Sequence, residues 1–253
     1  MEPQKIVRIA AIGDLHYSRR SAGTLQPLFA QIASAADVLV IAGDLTDFGL
    51  TEEARILAKD LTGAVKIPVI AVLGNHDFEA GRQDEIRQIL VDAGVSVLDG
   101  ETTEAHGIGF AGVKGFAGGF GRGALGPWGE ETIKRFVREA VDEALKLETA
   151  LARLRNAQRV AILHYAPIRG TVEGEPLEIY PYLGSSRLEE PLSRYPVTAV
   201  FHGHAHHGQA DAKTRNGVPV YNVSLPLLRR LLPERPVRII DIDNTAFLAA
   251  PPG

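Results

Sequence analysis

Apolar residues recur along the chain in short, nearly unbroken runs that each stop at a glycine followed by a polar residue. The runs at 6–12, 38–42 and 69–73 end in Gly13-Asp14, Gly43-Asp44 and Gly74-Asn75. Runs this short and this apolar predict strands buried on both faces, with polar side chains delivered at their C-terminal ends. Between them, 24–35 and 51–61 carry apolar residues at helical spacing, and Thr51-Glu52-Glu53 opens the second with a capping residue and early acids. A further helix is predicted over 82–93. Alternating strands and helices imply βαβ units and a largely parallel sheet.

The second half repeats the theme. Short strands are predicted at 95–98 and 108–113, around a turn-rich stretch at 99–107. Pro127 precedes a long amphipathic helix over 130–155, whose stripe includes Ile133, Phe136, Val137, Ala140, Val141, Ala144, Leu145, Leu151 and Leu154. Strands follow at 160–163, 197–201, 218–223 and 237–242. Strand-rich blocks of this kind predict a second sheet, hence an α/β protein with two sheets flanked by helices. No linker-like stretch divides the chain. Residues 1–253 are therefore expected to form one domain, with a Gly-rich loop and long helix inserted at about 115–156.

Composition narrows the chemistry. With 45% hydrophobic and 23% charged residues over 253 positions, the chain can bury a sizeable core, which excludes disorder. The 31 acidic residues outnumber the 27 basic ones for a net charge of −4, so the whole-protein field attracts neither nucleic acid nor an anionic membrane. Neither is expected as a partner, and a phosphate ligand needs a local positive source. The absence of cysteine removes disulfides, thiolate zinc sites and thiol catalysis, leaving His, Asp, Glu or Asn for any metal. Residues 1–5 lead at once into the first apolar run, which is too short for a signal peptide. No apolar run reaches the ~18 residues of a membrane span. A cytoplasmic protein is expected.

Five islands concentrate chemistry. They are Asp14-Leu15-His16, Gly43-Asp44-Leu45-Thr46-Asp47, Gly74-Asn75-His76-Asp77, His164 after the run 160–163, and Gly203-His204-Ala205-His206 after Val200-Phe201. Any one alone reads as an ordinary strand-end loop. Together they place five of the eight histidines after strands, and the carboxyl ends of strands in open α/β sheets converge on the ligand crevice. His and carboxylate donors suit borderline and hard divalent ions, and one carboxylate can bridge two of them.

The ordered set DxH, GDxxD, GNH[DE], H and GHxH resembles the signature of the calcineurin-like metallophosphoesterases, matched at every signature position from Asp14 to His206. The resemblance implies two mixed β-sheets packed as a sandwich and flanked by helices. It also implies two divalent metal ions (Mn, Fe or Zn). Carried over by position, Asp14, His16 and His206 would bind the first metal, Asn75, His164 and His204 the second, and Asp44 would bridge them. His76 would be the acid, with Asp47 as its supporting carboxylate and Asp77 as another candidate for that support. Two divalent ions would outweigh the charges of Asp14, Asp44 and Asp47, leaving a locally positive pocket on an acidic protein. The implied reaction is hydrolysis of a phosphate ester by metal-bridged hydroxide. A small phosphodiester such as a cyclic nucleotide is the expected substrate, ahead of a phosphomonoester. A nuclease and a non-catalytic scaffold on the same fold are the further alternatives; a scaffold is free to lose ligands, and this chain keeps every one.

Other features carry less. Gly107-Ile108-Gly109-Phe110-Ala111-Gly112 matches GxGxxG, but 102–106 before it does not read as a strand while the match itself does, so no dinucleotide site is expected. The Gly-rich stretch 115–123 is read as a mobile loop, or as a lid bringing Lys114 or Arg122 to substrate phosphate. Arg169, in the loop 167–184 after His164 together with Tyr180 and Tyr182, is a third candidate for substrate contact. His106, His202 and His207 lie off the signature and read as surface or packing residues. Arg229, Arg230, Arg235 and Arg238 read as a solvated face. The long helix packs on the core or on a second copy, so a homodimer stays open.

Overall fold

The computed structural model describes residues 6–245; the N-terminal segment 1–5, on which the signal-peptide expectation bears, lies outside the described residues. Strand β1 (Ile6–Ile12) leads through α1 (Gln26–Ala35) to β2 (Val38–Ala42), then through α2 (Thr51–Ala64) to β3 (Val69–Val72) and through α3 (Gln83–Asp92) to β4 (Val95–Val97). These four strands pair in parallel in the order β1-β2-β3-β4. The second half contains β5 (Thr102–Ala105), β6 (Ile108–Gly112), α4 (Glu131–Arg153), β7 (Arg159–Ile162), α5 (Tyr180–Leu183), α6 (Glu189–Arg194), β8 (Ala199–His202), β9 (Asp211–Lys213), β10 (Pro219–Asn222), α7 (Leu225–Leu231) and β11 (Arg238–Asp243). The first sheet is closed by β11, antiparallel to β1. The second runs β5-β6-β7-β8-β10-β9, with β5 and β9 antiparallel at its edges. Both sheets are therefore mixed.

Alternation along each strand builds three layers of core. Val7, Ile9 and Ala11 of β1 face the second sheet, where Val40 and Val72 meet Phe110, Ile162 and Phe201. Their neighbours Ala10 and Ile12 turn the other way, with Leu39 and Ile41, onto Phe29, Leu57 and Ile86 of the three covering helices. On the far side, Ala111, Ala161 and Val200 pack under Leu147, Ala150 and Leu151 of α4. Each large apolar side chain among these, fully buried, is worth roughly 1.5–3 kcal/mol. The buried stripe of α4 thus lies against its own chain. Leu145, placed in that stripe by periodicity, stands 51% exposed. Glu143 is buried instead, because its carboxylate accepts the Gly115 amide at 2.7 Å and pairs with Lys146 at 2.7 Å.

One expectation needs correction: Thr102–Ala105 is a strand, paired antiparallel with β6 from Thr102↔Ala111 to Ala105↔Ile108. The GxGxxG match therefore follows a strand, but it forms the returning arm of a hairpin and opens no helix, so the dinucleotide reading still fails its context. Short elements escaped the pattern altogether. β9 is a three-residue polar edge strand, and α5, α6 and α7 span only four to seven residues. Among the described residues, no helix is long and apolar enough to cross a membrane.

Candidate metal centre

The C-terminal ends of the parallel strands from both sheets meet at one place. The segments after β1 and β2 stay side by side beyond the strands, with Asp14 donating its amide to the Gly43 carbonyl and His16 to that of Asp44. Gly13 donates to the Val223 carbonyl and its own carbonyl accepts the Leu225 amide, so the two sheets are stitched together at this end, while Gly203 donates to the His164 carbonyl and holds the segments after β7 and β8 together. Loops from five separate strands are held within side-chain reach, and all five chemical islands sit on them.

The backbone there is strained. Asp14, His16, Asp44 and His204 all have positive φ, at 54°, 45°, 48° and 69°, a region that side-chain-bearing residues seldom adopt. Each such residue costs on the order of 1–3 kcal/mol, and persists where the surroundings over-determine it. Neighbouring glycines make room for the carboxylates: a Cβ on Gly74 would fall inside the Asp44 side chain, and one on Gly203 inside that of Asp14.

The side chains form two clusters joined by Asp44. In the first, Asp14, His16 and His206 converge, with His206 Nε2 at 3.1 Å from Asp14 Oδ1. In the second, Asp44, His164 and His204 converge, and Asn75 Oδ1 lies 2.9 Å from His164 Nε2. Asp44 reaches both, with Oδ1 at 3.4 Å from His164 Nε2 and Oδ2 at 3.8 Å from His16 Nε2. Its Oδ1 also accepts the His76 amide at 2.9 Å.

Electrostatics follow from this crowding. Burial pushes the Asp44 carboxyl up, but the His164 ring and the His76 amide outweigh it and hold Asp44 well below the usual carboxylate range. Burial opposes charge on His164 too, yet the Asp44 carboxylate overrides it and raises the ring. Both His164 nitrogens face oxygen acceptors, Nδ1 the Ala42 carbonyl at 3.0 Å and Nε2 that of Asn75. A ring so placed carries a proton where a divalent ion would sit, since metal and proton compete for one lone pair. His204 is pushed down to about 4 by burial and by His164, which keeps it neutral as a ligand must be. Both nitrogens of His16 are buried without a hydrogen-bond partner. Orphaned ring nitrogens beside buried carboxylates are what a divalent cation would satisfy, and the His, Asp and Asn donors fit borderline or hard ions.

His76 stands beside these clusters, its ring centroid 4.6 Å from that of His16. Its Nδ1 lies 2.6 Å from the main-chain carbonyl oxygen of Asp47. The Asp47 carboxylate, read from sequence as the partner of His76, lies 3.5 Å from His16 Nδ1 and forms with His16 and His76 a third group whose potential ligand atoms are all within 4.8 Å of one another. Asp77, the other candidate for that support, is buried and accepts amides of Leu45, Thr46 and Gly74. A second side-chain carboxylate near His76 is that of Glu79, 3.7 Å from Nδ1, a residue one helical turn on that sequence reasoning passed over. Tyr182 was also underrated: its carbonyl lies 3.2 Å from His204 Nε2. His202, read as a surface or packing residue, is fully buried beside the GHxH island.

The three substrate candidates separate. Lys114 is buried, donates to the Gly115 carbonyl at 2.9 Å and lies among the rings of Phe78, Phe116 and Tyr165. Arg169 pairs with Glu173 at 3.7 Å and lies over Tyr180. Arg122 is exposed on the turn Gly121–Gly123. The Gly-rich stretch itself is tied down, with Gly118 donating to Pro181 and Gly119 to Gly184.

Solved structures share this architecture. One is that of a phosphopantetheinyl hydrolase from Mycobacterium tuberculosis, 19% identical, TM-score 0.67, over 97% of this chain and 98% of that one. A Thermus thermophilus protein, TT1561, is 17% identical, TM-score 0.53, over 94% and 99%. A putative 5′-nucleotidase from Staphylococcus aureus, in complex with alpha-ketoglutarate, is 16% identical, TM-score 0.51, over 86% of this chain and 48% of that one. At these identities the likeness shows the fold. Among curated proteins, none matches this sequence. The family model for calcineurin-like phosphoesterases matches residues 7–208, which span all five islands, and the chain belongs to that family of phosphoric ester hydrolases.

Proposed function

We propose that the protein is a dinuclear metal-dependent phosphodiesterase acting on small diesters such as cyclic nucleotides. The observation that carries this reading is Asp44, whose two oxygens face the two histidine clusters. Asp14, His16 and His206 would hold one ion, Asn75, His164 and His204 the other, and Asp44 would contact both. When bound, two divalent ions, Mn, Fe or Zn, supply the Lewis acidity that activates water and balances charge on the phosphoryl oxygens.

The chain's own groups do the rest. The Asp47 carbonyl fixes the Nδ1 hydrogen of His76, which leaves Nε2 as the edge that presents a proton to the departing alkoxide. The Glu79 carboxylate stands 3.7 Å from the same Nδ1 and backs that edge of the ring. Arg169 is paired with Glu173, so its charge is offset where a phosphate dianion would call for it. That favours the single charge of a diester over the double charge of a monoester.

The test compares bis-p-nitrophenyl phosphate with p-nitrophenyl phosphate after chelation and Mn²⁺ add-back. Metal-dependent turnover with kcat/KM about tenfold higher for the diester is expected, a difference of about 1.4 kcal/mol in transition-state stabilisation. Preference for the monoester would overturn the diesterase reading.

A further inference from the structure

A cavity of about 250 Å³ opens beside the metal centre, between the start of α3, β4 and the segment after β6. Its apolar walls are Leu73, Phe78 and Leu98, and its polar ones include Gln83 and Lys114. None of its lining residues is a candidate metal ligand, but several adjoin one along the chain or through a contact. Leu73 lies two residues before Asn75, Phe78 lies two after His76, and the Lys114 carbonyl accepts the His164 amide at 3.0 Å. Lys114 Nζ is 5.4 Å from the Tyr165 ring, which in turn stands 4.5 Å from the His204 ring.

Two polar groups on this wall are short of partners. Lys114 is buried, and its ammonium, packed among the rings of Phe78, Phe116 and Tyr165, makes one hydrogen bond, to Gly115, of the three it can give. Glu143 lends it charge without a bond, since that carboxylate is taken by Gly115 and Lys146. The Oε1 atom of Gln83 is buried with no hydrogen-bond partner. Buried polar groups without partners cost free energy, and native structures seldom leave them unmet without cause. The other charged groups of the lining behave differently: Arg87 is bound to Glu101 and the Val97 carbonyl, Asp99 to Lys146, and Asp84 is exposed.

Resting on the diesterase reading, we propose that this cavity is the subsite for the non-phosphate end of the substrate, and that it takes a planar amide-type edge. Lys114 donates to the carbonyl or ring-nitrogen acceptor of that edge, Gln83 Oε1 accepts its neighbouring N–H, and Phe78, 37% exposed, offers a face for stacking. The volume lies below the roughly 300–1,000 Å³ of whole-ligand pockets, which suits one end of a molecule whose phosphate lies at the metals. Such an edge occurs on a nucleobase and on a linear amide, as in a pantetheinyl chain.

Two measurements test this on the full chain, with Gln83→Leu and Lys114→Met beside the wild type; Gln83 lies at the helix start, so its variant is the safer for folding. The first is calorimetric titration of metal-free protein with uridine and, separately, with pantetheine. Saturable binding of one of them, weakened about fivefold or more in Gln83→Leu, is expected, and which one binds identifies the source of the edge. Absence of binding by both overturns the subsite. The second is the ratio of kcat/KM for the matching p-nitrophenyl diester, thymidine 5′-p-nitrophenyl phosphate or its phosphopantetheine counterpart, to that for bis-p-nitrophenyl phosphate. The ratio is expected to fall about tenfold in either variant; an unchanged ratio in both overturns the subsite while leaving the diesterase reading intact. Binding by the metal-free wild type without hydrolysis of any diester would support the subsite and overturn the diesterase reading instead.

Discussion

The hydroxyl of Thr46 donates to Asp77 Oδ1 at 2.6 Å, and the amide of Thr46 donates to the same oxygen at 2.8 Å. Asp77 Oδ2 accepts the amides of Gly74 and Leu45 at 2.8 and 3.2 Å. One buried carboxylate thereby clamps the loop carrying Asp44 to the loop carrying Asn75. Burial and the nearby Asp44 push its pKa up to about 6, so the clamp holds charge at a cost that its four donors offset only in part.

Asp77→Ala leaves those four donors without an acceptor. A loss of about 3–5 kcal/mol of stability is expected, several unmet groups at roughly 1–3 kcal/mol each being partly relieved by relaxation. Urea unfolding gives the stability, and titration with Mn²⁺ gives the metal affinity, which is expected to drop with it. A variant that unfolds earlier but binds metal as tightly as the wild type would show that the clamp does not set the ligand geometry.

His202 makes stability depend on pH. Its Nδ1 lies 2.8 Å from the Gly203 carbonyl and its Nε2 lies 2.7 Å from the Thr171 hydroxyl, an arrangement that suits the neutral ring. Burial pushes its pKa down to about 4, below the value near 6.5 of an unfolded histidine. The unfolded chain therefore binds the extra proton first as pH falls. The associated stability is fully present above pH 6.5 and drains away between about 6.5 and 4, by about 3–4 kcal/mol. Thermal melts at pH 7 and pH 4.5 are expected to differ more for the wild type than for His202→Gln. Equal differences would show that the pH dependence has its source in another group.

His76→Ala is expected to keep the metals and lose turnover. The loss falls within the roughly 10²–10⁴-fold range of general acid catalysis for an alkyl diester, and is much smaller for a p-nitrophenyl ester, whose leaving group needs no proton. Comparing the two substrates at matched metal content separates the roles. If both lost activity equally along with metal, His76 would be a ligand and not an acid.

How much of this was legible in the sequence depends on the scale of each feature. β1, β2 and β3 were readable because a nearly unbroken apolar run that stops at a glycine fits a buried strand and is too short for a buried helix, and the islands after them inherit their placement. β5 was not, since Thr102-Thr103-Glu104-Ala105 has little apolar character and owes its strand to pairing with β6. Leu145 went wrong for the converse reason: periodicity counts it apolar, whereas a charged Glu143 gains more inside by binding Gly115 and Lys146. Asp47 shows the limit for the site. GDxxD puts its residue near His76, but only the fold decides that its carbonyl meets that ring while its carboxylate lies between His76 and His16.

Whether Asp44 joins two metal sites is decided by elemental analysis of the purified, Mn²⁺-reconstituted protein beside Asp44→Asn. Two metal equivalents per wild-type chain are expected. At most one is expected in Asp44→Asn, with activity on bis-p-nitrophenyl phosphate reduced more than about 100-fold. A single equivalent in the wild type, or an Asp44→Asn protein that keeps both metals and its activity, would contradict the shared-carboxylate centre.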